Sequence, residues 1–273
     1  MSKIIYTTGL TGFIGQNVLK NIINDYDITV NFGRDNKINI YQSSEYPLYK
    51  DFNFNELEAY PSEVLIHLAT HYNPKPKNFQ EERLIAESNF NFPLKICNSL
   101  KKIGLKKIIS TSSYMQLLDL EYQNLYAKTK NHFITWAKSE FEVVEIFLFD
   151  TFGFNDPRNK VLDVFIKSAI IGQDINIPSN RIDINLTHVE EVSKSLVNST
   201  KLKPGQYMIM SDNQTTVKEL ARRIISLGKT SSKIKTKIAA INFLKKIDNF
   251  PKNIYKKTIE FDFNDQVTER FNE

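Results

Sequence analysis

Thr8-Gly9-Leu10-Thr11-Gly12-Phe13-Ile14-Gly15 sets the reading of the whole chain. Before it, Lys3 to Thr8 reads as a strand carrying the apolar run Ile4-Ile5-Tyr6. After it, Ile14, Val18, Leu19, Ile22 and Ile23 recur at helical spacing. A turn tight enough to bring backbone N–H groups against a diphosphate has no room for Cβ, and the helix N-terminus behind it favours negative charge. Gly9, Thr11, Gly12, Phe13, Ile14 and Gly15 are therefore candidate contacts to a dinucleotide.

Outward from this unit the alternation continues. Ile28 to Phe32 reads as a second strand ending at Gly33-Arg34, and Val64 to Ala69 is a continuous apolar strand of the kind expected between two helical layers. A helix around Glu82 to Leu100, a strand at Lys107 to Ser110, a helix beginning near Tyr126 and a strand at Val143 to Phe149 follow. This is a doubly wound α/β pattern with a parallel sheet over roughly the first 150 residues. Later signals mix: a helix at Val161 to Ile171, short strands near Ile175 and at Gln206 to Met210, a helix from Thr216 to Leu227, and an extended piece at Phe261-Asp262-Phe263. The reading divides the chain into a dinucleotide-binding part, 1–152, and a smaller mixed α/β region, 153–273, with segments returning to the first core.

Composition sets bounds. The chain has 273 residues, 41% hydrophobic and 25% charged, which excludes wholesale disorder; nine glycines and nine prolines exclude a fibrous repeat. Thirty-six basic against 31 acidic residues give a charge of +5, too modest for a nucleic-acid signature. No secretory segment or long apolar run is expected, so membrane insertion is not. The single Cys97 cannot form an internal disulfide and fits a cytoplasmic setting. His67, His71, His132 and His188 show no ligand spacing, so no metal is expected.

At the end of the second strand a carboxylate would hydrogen-bond the adenosine ribose, whereas an arginine can bind the 2′-phosphate of NADP. Arg34 favours NADP(H); Asp35, one residue on, keeps NAD open.

Several further motifs stand in order: Ile66-His67-Leu68-Ala69, Asn89, Ser110-Thr111-Ser112-Ser113, Tyr126-Ala127-Lys128-Thr129-Lys130, Phe149-Asp150-Thr151-Phe152-Gly153 and Thr187-His188-Val189-Glu190-Glu191-Val192. With the glycine turn, they make the chain resemble the extended short-chain dehydrogenase/reductase family, also called the NAD-dependent epimerase/dehydratase family, over about residues 3 to 220. The resemblance implies a Rossmann fold. It implies that Tyr126 donates or accepts a proton, that Lys130 lowers its pKa and holds the nicotinamide ribose, and that Ser112, with Ser113 as its neighbour, hydrogen-bonds the reacting oxygen. It adds Asp51, Phe52, Leu68, Ala69, Thr70 and Phe149 to the cofactor contacts, and often a homodimer built through the Tyr126 helix. The Tyr-x-x-x-Lys spacing is sensible in itself, because residues four apart share a helix face and a phenol of pKa near 10 needs help to ionise at neutral pH.

Ser112-Ser113-Tyr114 lacks the Thr-Asp-Glu of the dehydratase branch. Phe149 to Arg158 is similar to the corresponding stretch of CDP-abequose and CDP-paratose synthase-like reductases, departing at Phe154, where proline is usual. The resemblance thus implies NADPH-dependent reduction of a nucleotide-linked 4-keto-deoxyhexose. An NAD-dependent 4-epimerase and a non-catalytic dinucleotide-responsive protein are the alternatives. His71, Asn73, Asp150, Thr151, Arg158 and Arg181 are candidate substrate contacts, the arginines because paired donors suit a diphosphate. Ser112 and Tyr126 are 14 residues apart, which is short for the family the chain resembles, and the resemblance therefore implies a trimmed loop and a more open pocket.

Overall fold

The computed structural model describes residues 2–33, 37–42, 45–51, 54–211, 214–254 and 263–272. Its elements run β1 (Ile4–Thr8), α1 (Phe13–Ile22), β2 (Ile28–Phe32), β3 (Lys37–Gln42), β4 (Glu45–Asp51), β5 (Val64–His67), α2 (Phe79–Ala86) and α3 (Phe92–Lys101). They continue as β6 (Lys107–Ser113), α4 (Leu125–Glu140), β7 (Glu142–Leu148), β8 (Asp150–Phe152), α5 (Val161–Ile170), β9 (Ile175–Pro178), β10 (Asp183–His188) and α6 (Val189–Asn198). The last are β11 (Gly205–Ile209), β12 (Gln214–Thr216), α7 (Val217–Gly228), β13 (Ile234–Lys237), β14 (Asn253–Ile254) and α8 (Phe263–Asn272).

Nine of the described strands form one sheet in the order β14-β11-β7-β6-β5-β1-β2-β3-β4. From β14 to β2 every pairing is parallel. Tyr6, Leu65 and Ile108 face a core completed by α3 and α4, while Ile5, Ile66 and Ile109 face one completed by α1 and α6. Burial on both faces is why these strands read as unbroken apolar runs. The expected doubly wound Rossmann fold is thus present, with two differences at its edge. β3 and β4 are antiparallel to their neighbours. Only four residues connect Phe32 to Lys37, too few for a crossover helix, and the Gly33 N–H donates to the Lys37 carbonyl at 2.8 Å to close a hairpin instead.

The later part of the chain returns to the same sheet: β11 lies beside β7, and α6 packs on α1, with Asn21 Nδ2 donating to Ser193 Oγ at 3.0 Å. The other elements form a second core around Phe165, Ile177, Leu186 and Leu220. Phe263 opens a helix rather than an extended piece; Phe261 and Asp262 lie outside the described residues. Val267 and Phe271 drive that helix onto the second core. Among the described residues no helix is long and apolar enough to cross a membrane.

Candidate active site

The strand order turns back at β1, with β2 on one side and β5 on the other, and the glycine turn sits at that reversal. Ligands of open α/β sheets bind in such crevices. The three glycines are not there for one reason. Gly9 has φ +78° and a Cβ on it would lie 2.5 Å from the Ala69 nitrogen; a Cβ on Gly15 would lie 2.0 Å from the Gly9 carbonyl oxygen. Those two are dictated by the protein's own packing. Gly12 is not: its φ of −81° and ψ of 169° suit any residue, and its Cβ would meet nothing nearer than 3.5 Å. Gly12 lines the cavity, and the protein's own packing leaves room there for a side chain. Asn31 Oδ1 holds the turn, accepting from the Leu10 N–H at 3.2 Å and the Thr7 hydroxyl at 3.3 Å.

The cavity has a volume of about 750 Å³, within the range of cofactor and substrate sites. Gly9, Thr11, Gly12, Phe13, Ile14 and Gly15 line one end together with Gly33 and Asn39. No side chain caps α1 and no acid sits in its first turn, so its positive end is left to whatever the cavity holds. These features fit a dinucleotide diphosphate. Arg34, Asp35 and Phe52 lie outside the described residues, as does the side chain of Asp51 in β4.

Leu68, Ala69 and Thr70, leaving β5, form the middle of the wall. Asn89, in a π-helical turn at Glu87–Asn91, holds this segment: its Oδ1 accepts from the Thr70 hydroxyl at 3.0 Å and the His71 N–H at 2.7 Å, and its Nδ2 donates to the His71 carbonyl. Opposite stand Ser112 and Ser113 at the end of β6, Tyr126 and Lys130 on successive turns of α4, and Phe149, Asp150 and Thr151 entering β8. α4 begins there because Asn124 caps it, its side chain accepting from the Ala127 N–H at 3.0 Å.

Tyr126 is buried, hydrogen-bonded to Thr70, with its ring edge-on to Tyr72 at 5.1 Å. Burial pushes its phenol up to about 12. The Lys130 Nζ lies 5.8 Å from the Tyr126 ring centroid, and burial brings it down to about 8 against the opposing pull of Glu145. The anticipated lowering of Tyr126 by Lys130 is therefore not what the protein alone displays: desolvation dominates both groups. Behind Lys130, burial and the lysine charge hold His67 down at about 3; its Nδ1 is 2.7 Å from the Thr8 hydroxyl.

Arg158 lines the far end but is already engaged. Its Nε and Nη2 grip Asp156 at 2.7 and 2.6 Å, and Nη2 also donates to the Thr151 carbonyl at 2.9 Å, leaving Nη1 for a ligand. Three anticipated contacts are absent from the cavity wall. Arg181 is exposed and donates to Asp183 at 2.9 Å; Asn73 turns to Glu81 at 2.9 Å; the backbone of His71 is held by Asn89. Asp183 and Glu81 thus hold Arg181 and Asn73 away from the cavity. Motif matching missed Tyr72, whose ring lies 4.2 Å from the Lys160 Nζ, and Lys160 itself, whose ammonium burial and Arg158 pull down. It also missed Tyr114, stacked on Phe149 at 5.5 Å. The segment after Ser112 folds with Met115 and Leu118 packed against Ile247.

A description of the NAD dependent epimerase/dehydratase family matches residues 5–196. This chain belongs to that family. It is an NAD(P)-dependent enzyme of the oxidoreductase or epimerase kind. The chain is 21% identical over 234 residues to the CDP-abequose synthase of Yersinia pseudotuberculosis, covering 79% of this chain and 81% of that one. Its fold is similar to that of a UDP-N-acetylglucosamine 4-epimerase from Methanobrevibacter ruminantium, at 19% identity, TM-score 0.69, covering 100% and 98% of the two chains. It is also similar to RMD from Pseudomonas aeruginosa complexed with NADPH, at 14% identity, TM-score 0.69, covering 99% and 98%.

Proposed function

We propose that this family member is an epimerase that inverts a hydroxyl-bearing carbon, C4, of a nucleotide-linked sugar. What supports the reading is the meeting of Ser112, Tyr126 and Lys130 in the cavity that starts at the glycine turn. The 4-epimerase among its structural relatives supports the choice of reaction. A bound nicotinamide dinucleotide supplies the hydride acceptor and donor. The glycine turn and the first turn of α1 would hold its diphosphate, and Leu68 to Thr70 and Phe149 would line its site.

Tyr126 takes the proton from the sugar hydroxyl as the carbon is oxidised and returns it when the carbon is reduced from the other face. The rise of its pKa to about 12 in the protein alone means that this step needs a cation, which Lys130 carries below its own pKa of about 8. Ser112 holds the reacting oxygen. Asp150, Thr151 and Arg158 meet the sugar and diphosphate, so the later part of the chain supplies the substrate side.

A second reading, NADPH-dependent reduction of a nucleotide-linked 4-keto-deoxyhexose, is favoured by the likeness to CDP-abequose synthase and by Arg34, which follows Phe32 by two residues in the sequence. The test is incubation of the purified protein, without added coenzyme, with UDP-, CDP- and dTDP-linked hexoses and N-acetylhexosamines, with products identified by NMR. Conversion of one sugar to its C4 epimer, reached from either side, is the expected result. No interconversion, with NADPH consumed by a 4-keto sugar, would move the assignment to the reductase.

A further inference from the structure

Ser112 sits at the end of a hydrogen-bond chain whose direction is fixed. The Ser113 N–H can only donate, and it lies 2.8 Å from Gln116 Oε1, so the Gln116 amide has one orientation. Its Nε2 then donates to Ser112 Oγ at 3.2 Å and to Asn131 Oδ1 at 2.9 Å. Asn131 Nδ2 in turn donates to Gln123 Oε1, and Gln123 Nε2 to the carbonyls of Gln116 and Leu118. Backbone groups orient both glutamines, and the two glutamines orient Asn131.

On the other side of Ser112 stands Glu145, from the middle of β7 and 2% exposed. Its Oε1 is 2.9 Å from Ser112 Oγ; its Oε2 takes Lys138 Nζ at 2.7 Å and Gln206 Nε2 at 2.9 Å. A carboxylate has no hydrogen to give, so the serine hydroxyl donates its only hydrogen to Glu145. Of its two lone pairs one is taken by Gln116. One lone pair remains for the cavity, and no hydrogen.

We propose that Gln116 and Glu145 are positioning residues that make Ser112 a hydrogen-bond acceptor toward the bound sugar, so that the group meeting it is a hydroxyl and not a carbonyl. This deepens the epimerase reading, on which it rests. In the resting complex protonated Tyr126 donates to the sugar oxygen and the substrate hydroxyl donates to Ser112; once Tyr126 is ionised, that one hydrogen turns from Ser112 to Tyr126 and is transferred as the carbon is oxidised. The ketone formed during turnover has nothing to donate and is polarised by the protonated Tyr126 alone.

Glu145→Gln inverts the chain without changing its shape. Lys138 and Gln206 keep the amide oxygen on their side, which turns the new NH₂ toward Ser112. Both lone pairs of Ser112 are then taken and its hydrogen is released into the cavity. The experiment measures dissociation constants for 6-deoxyhexose and 4-keto-6-deoxyhexose partners linked to UDP, CDP and dTDP. The alcohol is bound with NADH present and the ketone with NAD⁺, so that neither reacts. Wild type is expected to bind the alcohol at least tenfold more tightly, and Glu145→Gln to reverse the ratio by about tenfold or more. Ser112→Ala, which does not depend on Glu145→Gln folding, should weaken the alcohol by about tenfold and leave the ketone within threefold.

A uniform loss for both ligands in Glu145→Gln, or a Ser112→Ala that weakens the ketone, would overturn the proposal. Tyr126→Phe, assayed alongside, separates the two layers. If it abolishes epimerisation while the ratio stays unmoved in Glu145→Gln, only the polarity argument fails. If no pair binds the wild type, the inference falls together with the reading beneath it.

Discussion

Adding one methyl group at two positions six and three residues along the glycine turn should give opposite results. At Gly12 an alanine finds its nearest neighbour at 3.5 Å and an allowed backbone. Lower chain entropy in the unfolded state contributes about 0.4–1 kcal/mol, and the poorer helix cap costs a similar amount, so stability barely changes. The methyl projects instead where a diphosphate must approach the backbone N–H groups of α1. Loss of one charge-assisted hydrogen bond, about 1.5–3 kcal/mol, weakens the dinucleotide by about tenfold to a hundredfold. At Gly15 the methyl meets the Gly9 carbonyl oxygen at 2.0 Å and Leu10 Cα at 2.5 Å, and backbone has to move. Overpacking of that kind costs about 3 kcal/mol, which for a chain of this size lowers Tm by roughly 6–12 °C. Thermal unfolding of the apoproteins and calorimetric titration with NAD⁺ and NADP⁺ read both quantities. A Gly12→Ala protein that binds either dinucleotide like wild type would refute the assignment of the cavity, as would one destabilised as much as Gly15→Ala.

Tyr126→Phe should lower turnover by about 10²–10⁴-fold while dinucleotide affinity stays within threefold, as seen by progress curves and titration. Lys130 is held at about 8 instead of 10.5, so the folded protein carries a charge penalty on the order of 3 kcal/mol below pH 8. That penalty fades as pH rises from 8 to 10.5, where the amine is neutral in both states. Lys130→Met should therefore raise the apoprotein Tm by roughly 4–10 °C at pH 7 and by less near pH 9.5, and remove activity; an unchanged Tm at pH 7 contradicts the buried charge. Arg181→Ala should change stability by less than about 0.5 kcal/mol and leave KM unaltered, because its partner is an exposed ion pair with Asp183.

What could be read from the chain, and what could not, follows from where the physics is local. The parallel strands were legible because Ile5, Ile66, Ile109 and Val144 are buried under helices on both faces and so write continuous apolar runs. The β3–β4 hairpin was not, since Lys37-Ile38-Asn39-Ile40-Tyr41-Gln42 alternates polar and apolar instead of writing a continuous apolar run. The short connection after Phe32 was the available signal. Tyr126 and Lys130 stand out because residues four apart share a helix face, whereas Ser112 is reached through the family resemblance. Arg181 could not be placed, because Asp183 two residues on captures it locally. Glu145 left a trace that went unread: an acid inside Val143-Val144-Glu145-Ile146-Phe147, on a strand covered on both faces, must have partners. Gln116 left none, since its role depends on a loop fold that brings it back to Ser112 and Ser113.

The most direct measurement of the proposed reaction is stopped-flow mixing of the NAD⁺-loaded protein with the UDP-, CDP- and dTDP-linked alcohols, following the absorbance of reduced nicotinamide. An epimerase working through Tyr126, Lys130 and Ser112 gives a transient rise with its own sugar alcohol, needs no external reductant, and reaches the same end state from either C4 epimer. No rise with any of the alcohols, together with a fall on mixing the NADPH-loaded protein with a 4-keto sugar, would contradict it.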